Sequence, residues 1–155
     1  MVPYFEGHIK TGIIRRARIV VVLFSKNLVI CFVNRKEYAA EKKRSAAEAR
    51  RTMDWQEETE DTPDGNDRFG ERFAALDEQT AAALDARNRV IPYAEILKTR
   101  YSRASEDCDG EMNICCQGRL KIWTKSGRMV IRHGIEKGTP QEKELLKRLK
   151  PDKAF

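Results

Sequence analysis

Histidine is scarce in this 155-residue chain, which has only His8 and His133, and neither stands in a recognisable nucleophile motif. A serine or cysteine nucleophile needs a base within hydrogen-bond reach and a third group to orient it, so hydrolytic or acyl-transfer chemistry is not expected. Cysteine is almost as scarce. Cys31, Cys108, Cys115 and Cys116 form no C-x-x-C pair, and the tandem Cys115-Cys116 would send its side chains to opposite faces of a strand. No metal site is therefore expected. Gly7 and Gly12 are too isolated to form a phosphate-cradling loop, which argues against a nucleotide cofactor or any other. The acidic stretch 57–67 holds many carboxylates, but a polar loop does not shift their pKa values as a buried pair would. A non-enzymatic protein is the expectation.

Long apolar runs are missing too. The most apolar stretch extends from Ile19 to Val33 and is interrupted by Ser25-Lys26-Asn27, whereas crossing a bilayer takes about 20 mostly apolar residues. No transmembrane span is expected. With no recognisable secretory signal and no disulfide framework, the reading is a cytoplasmic protein with reduced thiols, the membrane surface being open to it only peripherally.

What the chain does contain is charge and strand pattern. Charged residues make up 35% and the formal net charge is +6, so contact with the phosphates of lipid or nucleic acid is open, though a basic surface alone establishes neither. Tyr4-Phe-Glu-Gly-His-Ile9 reads as a first strand. Two β-branched segments, Ile19-Val-Val-Val-Leu-Phe24 and Leu28-Val-Ile-Cys-Phe-Val33, then flank the Ser-Lys-Asn turn as a hairpin. Both are apolar at nearly every position, so both of their faces need cover, from a helix or from another chain. Residues 35–88 change character. Helix formers fill 36–52, with Tyr38, Ala46, Ala49 and Met53 as a thin apolar stripe, and the acidic loop follows. A second helix is expected to carry Phe69, Phe73, Leu76, Thr80 and Leu84, with Asn88 at its end. This reads as a helical hairpin inserted between two strands and removable without loss of the sheet.

From Arg89 the strands resume. Ile91-Pro92 enforces an extended or turn conformation, residues 98–103 read as an edge or half-exposed strand, and 113–124 alternates with Leu120 and Ile122 on one face and Arg119, Lys121 and Trp123 on the other. Lys125-Ser-Gly127 turns the chain into Arg128-Met-Val-Ile-Arg132. Thr139 can cap a closing helix that starts at Pro140 and has Leu145, Leu146 and Leu149 along one edge. The hairpin around Leu23-Phe-Ser-Lys-Asn-Leu-Val-Ile30, then Val90-Ile-Pro-Tyr-Ala-Glu-Ile96, Leu120-Lys-Ile-Trp-Thr-Lys-Ser-Gly127 and the helix from Pro140 occur in the order of the bacterial pleckstrin-homology-like domains, which the chain resembles. The resemblance implies a single α+β domain over 1–155, a split barrel of antiparallel strands with a C-terminal capping helix. It differs from the family pattern in carrying 35–88 where a short loop is usual.

Two sets of residues are candidates for binding. Lys10, Arg16 and Arg18 resemble the basic segment that phosphoinositide-binding members of that superfamily place at the barrel mouth; alternate strand positions share a face, and guanidinium groups offer phosphate paired donors. Lys98, Arg100, Arg119, Lys121 and Trp123 could instead form a basic and aromatic face for nucleic acid. The leading expectation is a protein-interaction or self-assembly module of this fold. Its alternatives are an anionic lipid headgroup or a nucleic acid as partner.

Overall fold

The computed structural model describes residues 2–11, 13, 15–52, 66–103 and 117–150. Within them the β-branched and alternating segments form strands β1 (Tyr4–Lys10), β2 (Arg16–Leu23), β3 (Asn27–Phe32), β4 (Arg89–Pro92), β5 (Ile96–Ser102), β6 (Gly118–Thr124) and β7 (Gly127–His133). Helices α1 (Arg35–Thr52), α2 (Asn66–Ala74) and α3 (Glu78–Ala83) lie between β3 and β4, and α4 (Pro140–Leu149) follows β7. The strands form one seven-stranded antiparallel sheet in the order β4-β3-β2-β1-β7-β6-β5. β4 and β5 are thus the two edges of the sheet, yet only a 3₁₀ turn, Tyr93–Glu95, separates them in the chain. The sheet has to curl until its edges meet at that corner.

Curling gives the sheet an inner face, and period-two alternation decides which side chains fill it. Phe5, Ile19, Val21, Leu23, Leu28, Ile30, Phe32, Ile91, Tyr101, Leu120, Ile122 and Ile131 converge there with Leu145 and Leu149 of α4. α4 begins where expected: Thr139 accepts a hydrogen bond from the Glu142 amide, Pro140 stands in the first turn, and Lys150 at φ 42° ends the helix. Its last turn is tied to the opposite end of the sheet, since Arg148 Nη1 and Tyr93 Oη both donate to the Phe24 carbonyl, at 2.6 and 2.8 Å. The β6–β7 hairpin turns through Lys125 and Ser126 into Gly127 at φ 139°, a backbone conformation that glycine adopts without strain.

The opposite parity of β2 and β3 builds a second core. Val20, Val22, Val29, Cys31 and Val33 face outward and are covered by Phe69, Phe73 and Ala81 from α2 and α3. Cover from within the same chain explains why these strands are apolar on both faces. α2 comes close enough to β1 that Gly70 lies against the Tyr4 ring, where a side chain would collide with it.

The helices differ from the sequence expectation in three ways. The apolar stripe from Phe69 to Leu84 is split between two helices, because Asp77 adopts an extended conformation (ψ 163°) and its carboxylate accepts from the Thr80 amide and hydroxyl at 2.8 and 2.9 Å. The chain restarts there, Ala81 becomes the buried contact, and Thr80 and Leu84 are left exposed. Asn88 holds the end of this layer: its side chain donates to the Ala81 carbonyl and accepts from the Phe32 amide. In α1, Tyr38 packs on the outer core but Ala46 is exposed; the Ala49 side chain and Met53 lie outside the described residues. Of the acidic stretch, Asn66 and Asp67 open α2 and the remainder lies outside them, as do 113–116 with Cys115 and Cys116, and Cys108. Among the described residues no helix is long and apolar enough to cross a membrane.

Candidate functional site

Because the odd residues of β2 and the residues paired with them point inward, the other parity of five adjacent strands forms an outer surface. β1 contributes His8 and Lys10, and β2 contributes Arg16 and Arg18. β7 contributes Arg128, Val130 and Arg132, β6 Arg119, Lys121 and Trp123, and β5 Lys98 and Arg100. The strand register sets these side chains in rows. Arg18 is opposite His8, His8 opposite Arg132, and Arg132 opposite Arg119. In the neighbouring row Arg16 is opposite Lys10, while Lys121 is flanked by Val130 and Arg100; further along, Trp123 lies between Arg128 and Lys98.

The two candidate sets, far apart in sequence, are therefore one surface. β7 joins them by pairing with β1 on one side and β6 on the other. Among the described residues, the one carboxylate at an outward position of these five strands is Glu6, and it is engaged: it lies 3.7 Å from Arg18 and accepts from the Gly70 amide at 3.1 Å. Adjacent strands stand about 4.8 Å apart, so the face extends ~19 Å across them. Positive side chains thus outnumber carboxylates on this face among the described residues, a charge balance that suits an anionic partner.

Lys10, Arg16 and Arg18 stand on one face of the sheet but do not all line one hollow. Their parity puts them on the outer face, and Arg18 is drawn away from the other two, its guanidinium lying 4.2 Å from the centre of the Tyr38 ring of α1. That contact covers the face at Arg18. Lys10 and Arg16 instead line a hollow of about 210 Å³ with His8, Ile13, Val130 and Arg132. Burial, then the charges of Arg18 and Arg16, holds the His8 pKa below its ordinary value. At the other end Trp123 is half-buried, with Lys98 Nζ 5.7 Å from its ring centre.

Sequence reasoning missed His8, Arg128 and Arg132 as members of this surface. The signal was present in part, since Arg128 and Arg132 share a parity in β7. The pairing of β7 with β1 was the missing element. No family model, curated protein or solved structure matches the chain.

Other reactive side chains are withdrawn into the fold. Cys31 is buried beneath α3 and burial pushes its thiol pKa up to about 12, leaving it protonated and unreactive. His133 is fully buried under α4, its Nδ1 accepting from the Ile135 amide at 3.2 Å. Among the described residues, no group of three or more His, Cys, Asp or Glu side chains could hold a metal ion.

Proposed function

We propose that this chain is a non-catalytic binding module on a pleckstrin-homology-like split barrel, and that it carries a single-stranded nucleic acid across the outer face of β2-β1-β7-β6-β5. The barrel assignment is supported by the seven-strand order, the edge-joining corner and the closing helix. The observation that carries the ligand is the continuity of the basic face through β7, from Arg16 and Lys10 to Arg100 and Lys98. A string of cations across five strands suits a polymer of phosphates better than a single headgroup, and Trp123 offers a flat surface on which an unstacked base can lie. Self-assembly loses its main motive, because α2 and α3 already cover the apolar outer faces of β2 and β3.

Binding of a labelled oligothymidylate or oligouridylate, followed by fluorescence anisotropy across a salt series, tests the proposal. Neutralising about four phosphates gives log affinity against log salt a slope of roughly −3. Arg119→Ala with Lys121→Ala should make that slope shallower by about 1.4, and Trp123→Ala should weaken binding by about 1–3 kcal/mol at every salt concentration. Absence of binding at ~0.1 M salt, where such an electrostatic contact is still strong, would refute the reading. One observation favours a second reading, an anionic membrane surface: Ile13 is 91% exposed at the β1–β2 tip beside Lys10 and Arg16. Sedimentation with anionic vesicles, and not with the oligonucleotide, would select it.

A further inference from the structure

The hollow beside Ile13 differs from the rest of the basic face in shape, charge and position. It is concave, and at about 210 Å³ it falls below the ~300 Å³ at which small-molecule pockets begin. A phosphoryl group fits such a space. Lys10, Arg16 and Arg132 bring permanent positive charge to it from three different strands, His8 adds a titratable ring, and among the described residues no carboxylate lines it. An internal phosphodiester carries a single negative charge, whereas a phosphate monoester carries roughly −1.5 to −2 at pH 7 and three strong acceptor oxygens. The hollow also lies next to the point where Tyr38 of α1 covers Arg18. A strand laid across the face from β5 reaches the hollow on the far, β2 side of the five strands.

We infer that the hollow formed by His8, Lys10, Arg16 and Arg132 is a socket for the terminal phosphate monoester of the bound strand. This rests on the nucleic-acid reading above and makes the protein a binder of phosphate-bearing strand ends. Among the described residues, the charged groups that face His8 are Arg18 and Arg16 on β2, Arg132 on β7, and Lys10 and Glu6 on its own strand. Burial first, and then the cations of that set, lower the pKa of the ring, and a monoester seated beside it acts in the opposite direction.

Affinities are measured for otherwise identical oligothymidylates ending in 5′-phosphate, 3′-phosphate or hydroxyl, each labelled internally. One phosphate-ended strand should bind roughly tenfold or more tightly than the hydroxyl-ended one, as charge-assisted hydrogen bonds to a dianion require. Lys10→Gln with Arg16→Gln should bring the ratio of the two affinities to about one, whereas Arg100→Gln with Lys121→Gln, at the far end, should weaken both and keep the ratio. The His8 ring, one of only two to assign by NMR, should titrate at higher pH with the phosphate-ended strand alone. Equal binding of all three strands would overturn the socket and leave the nucleic-acid reading standing; binding of none would remove both. Sedimentation with vesicles containing phosphatidic acid, without any preference for phosphate-ended strands, would assign the same chemistry to a lipid and overturn the strand-end proposal. Because the wild-type ratio is informative by itself, a variant that failed to fold would not protect the inference.

Discussion

His133 shows how much a single side chain depends on its surroundings. It closes β7, one residue beyond the segment read as a strand from the sequence, and its parity with Met129 and Ile131 turns it inward. What alternation cannot convey is that its ring stacks on Tyr101 at 5.0 Å, while the Tyr101 hydroxyl donates to Glu142 at 2.8 Å. Glu142 is itself buried, and although burial alone would raise its pKa, hydrogen bonds from Arg103, the Gly138 amide and Tyr101 keep the carboxylate ionised. For His133, burial lowers the pKa to about 4 against weaker opposing pulls from the Ser102 backbone and Glu142. The unfolded chain, with an ordinary histidine, therefore binds more protons than the native state between pH 6.5 and 4. Stability from this group is complete above pH 6.5 and is lost as pH falls through that window, by about 3 kcal/mol in all. Denaturant melts at intervals from pH 7 to 4.5 should show this slope, and His133→Phe, which keeps a ring on Tyr101 but cannot titrate, should flatten most of it. An unchanged slope would place the proton uptake elsewhere.

At the scale of elements, the need to cover β2 and β3 on both faces was legible, since Ile19 to Val33 leaves hardly a polar position. The element that does the covering was misjudged. Periodicity runs through Phe69, Phe73, Leu76, Thr80 and Leu84 as though one helix continued, because Asp77 can sit on the polar side of such a helix as readily as it can cap a new one. The consequence reaches the stability of the domain. Residues 35–88 read as an excursion that could be replaced by a linker, whereas Phe69 and Phe73 close the outer core over Val20, Val22, Val29 and Cys31. Phe69→Ala should destabilise the protein by about 3–5 kcal/mol, the usual loss for a buried aromatic side chain. Replacing 38–84 by a Gly-Ser linker should abolish cooperative unfolding or drive the chain to associate through β2 and β3. A monomeric deletion variant with a sharp melt would show that the helical layer is dispensable after all.

For the molecule as a whole, the strands and the closing helix could be read locally, and the two basic candidate sets could each be found from parity. Their union could not, because it depends on Gly7, His8 and Ile9 meeting Ile131, Arg132 and His133, at opposite ends of the chain. No local pattern encodes that pairing; it follows from the curl that brings β4 and β5 together through Tyr93–Glu95. The same junction carries a kinetic consequence. Closing a chain over such a separation is slow relative to forming the β2–β3 and β6–β7 hairpins, since the loop entropy has to be overcome before the contact stabilises anything. During synthesis β1 to β3 emerge early with Lys10, Arg16 and Arg18, but Arg132 and the remainder of the face reach them only after β7 has been made. In stopped-flow refolding, capture of a labelled oligonucleotide should therefore appear with the slowest phase, after the hairpin signals; capture in the earliest phase would contradict this order. Ligand binding by this protein would then be reserved for chains that have finished folding, with the junction of first and last strands acting as the proof of completion.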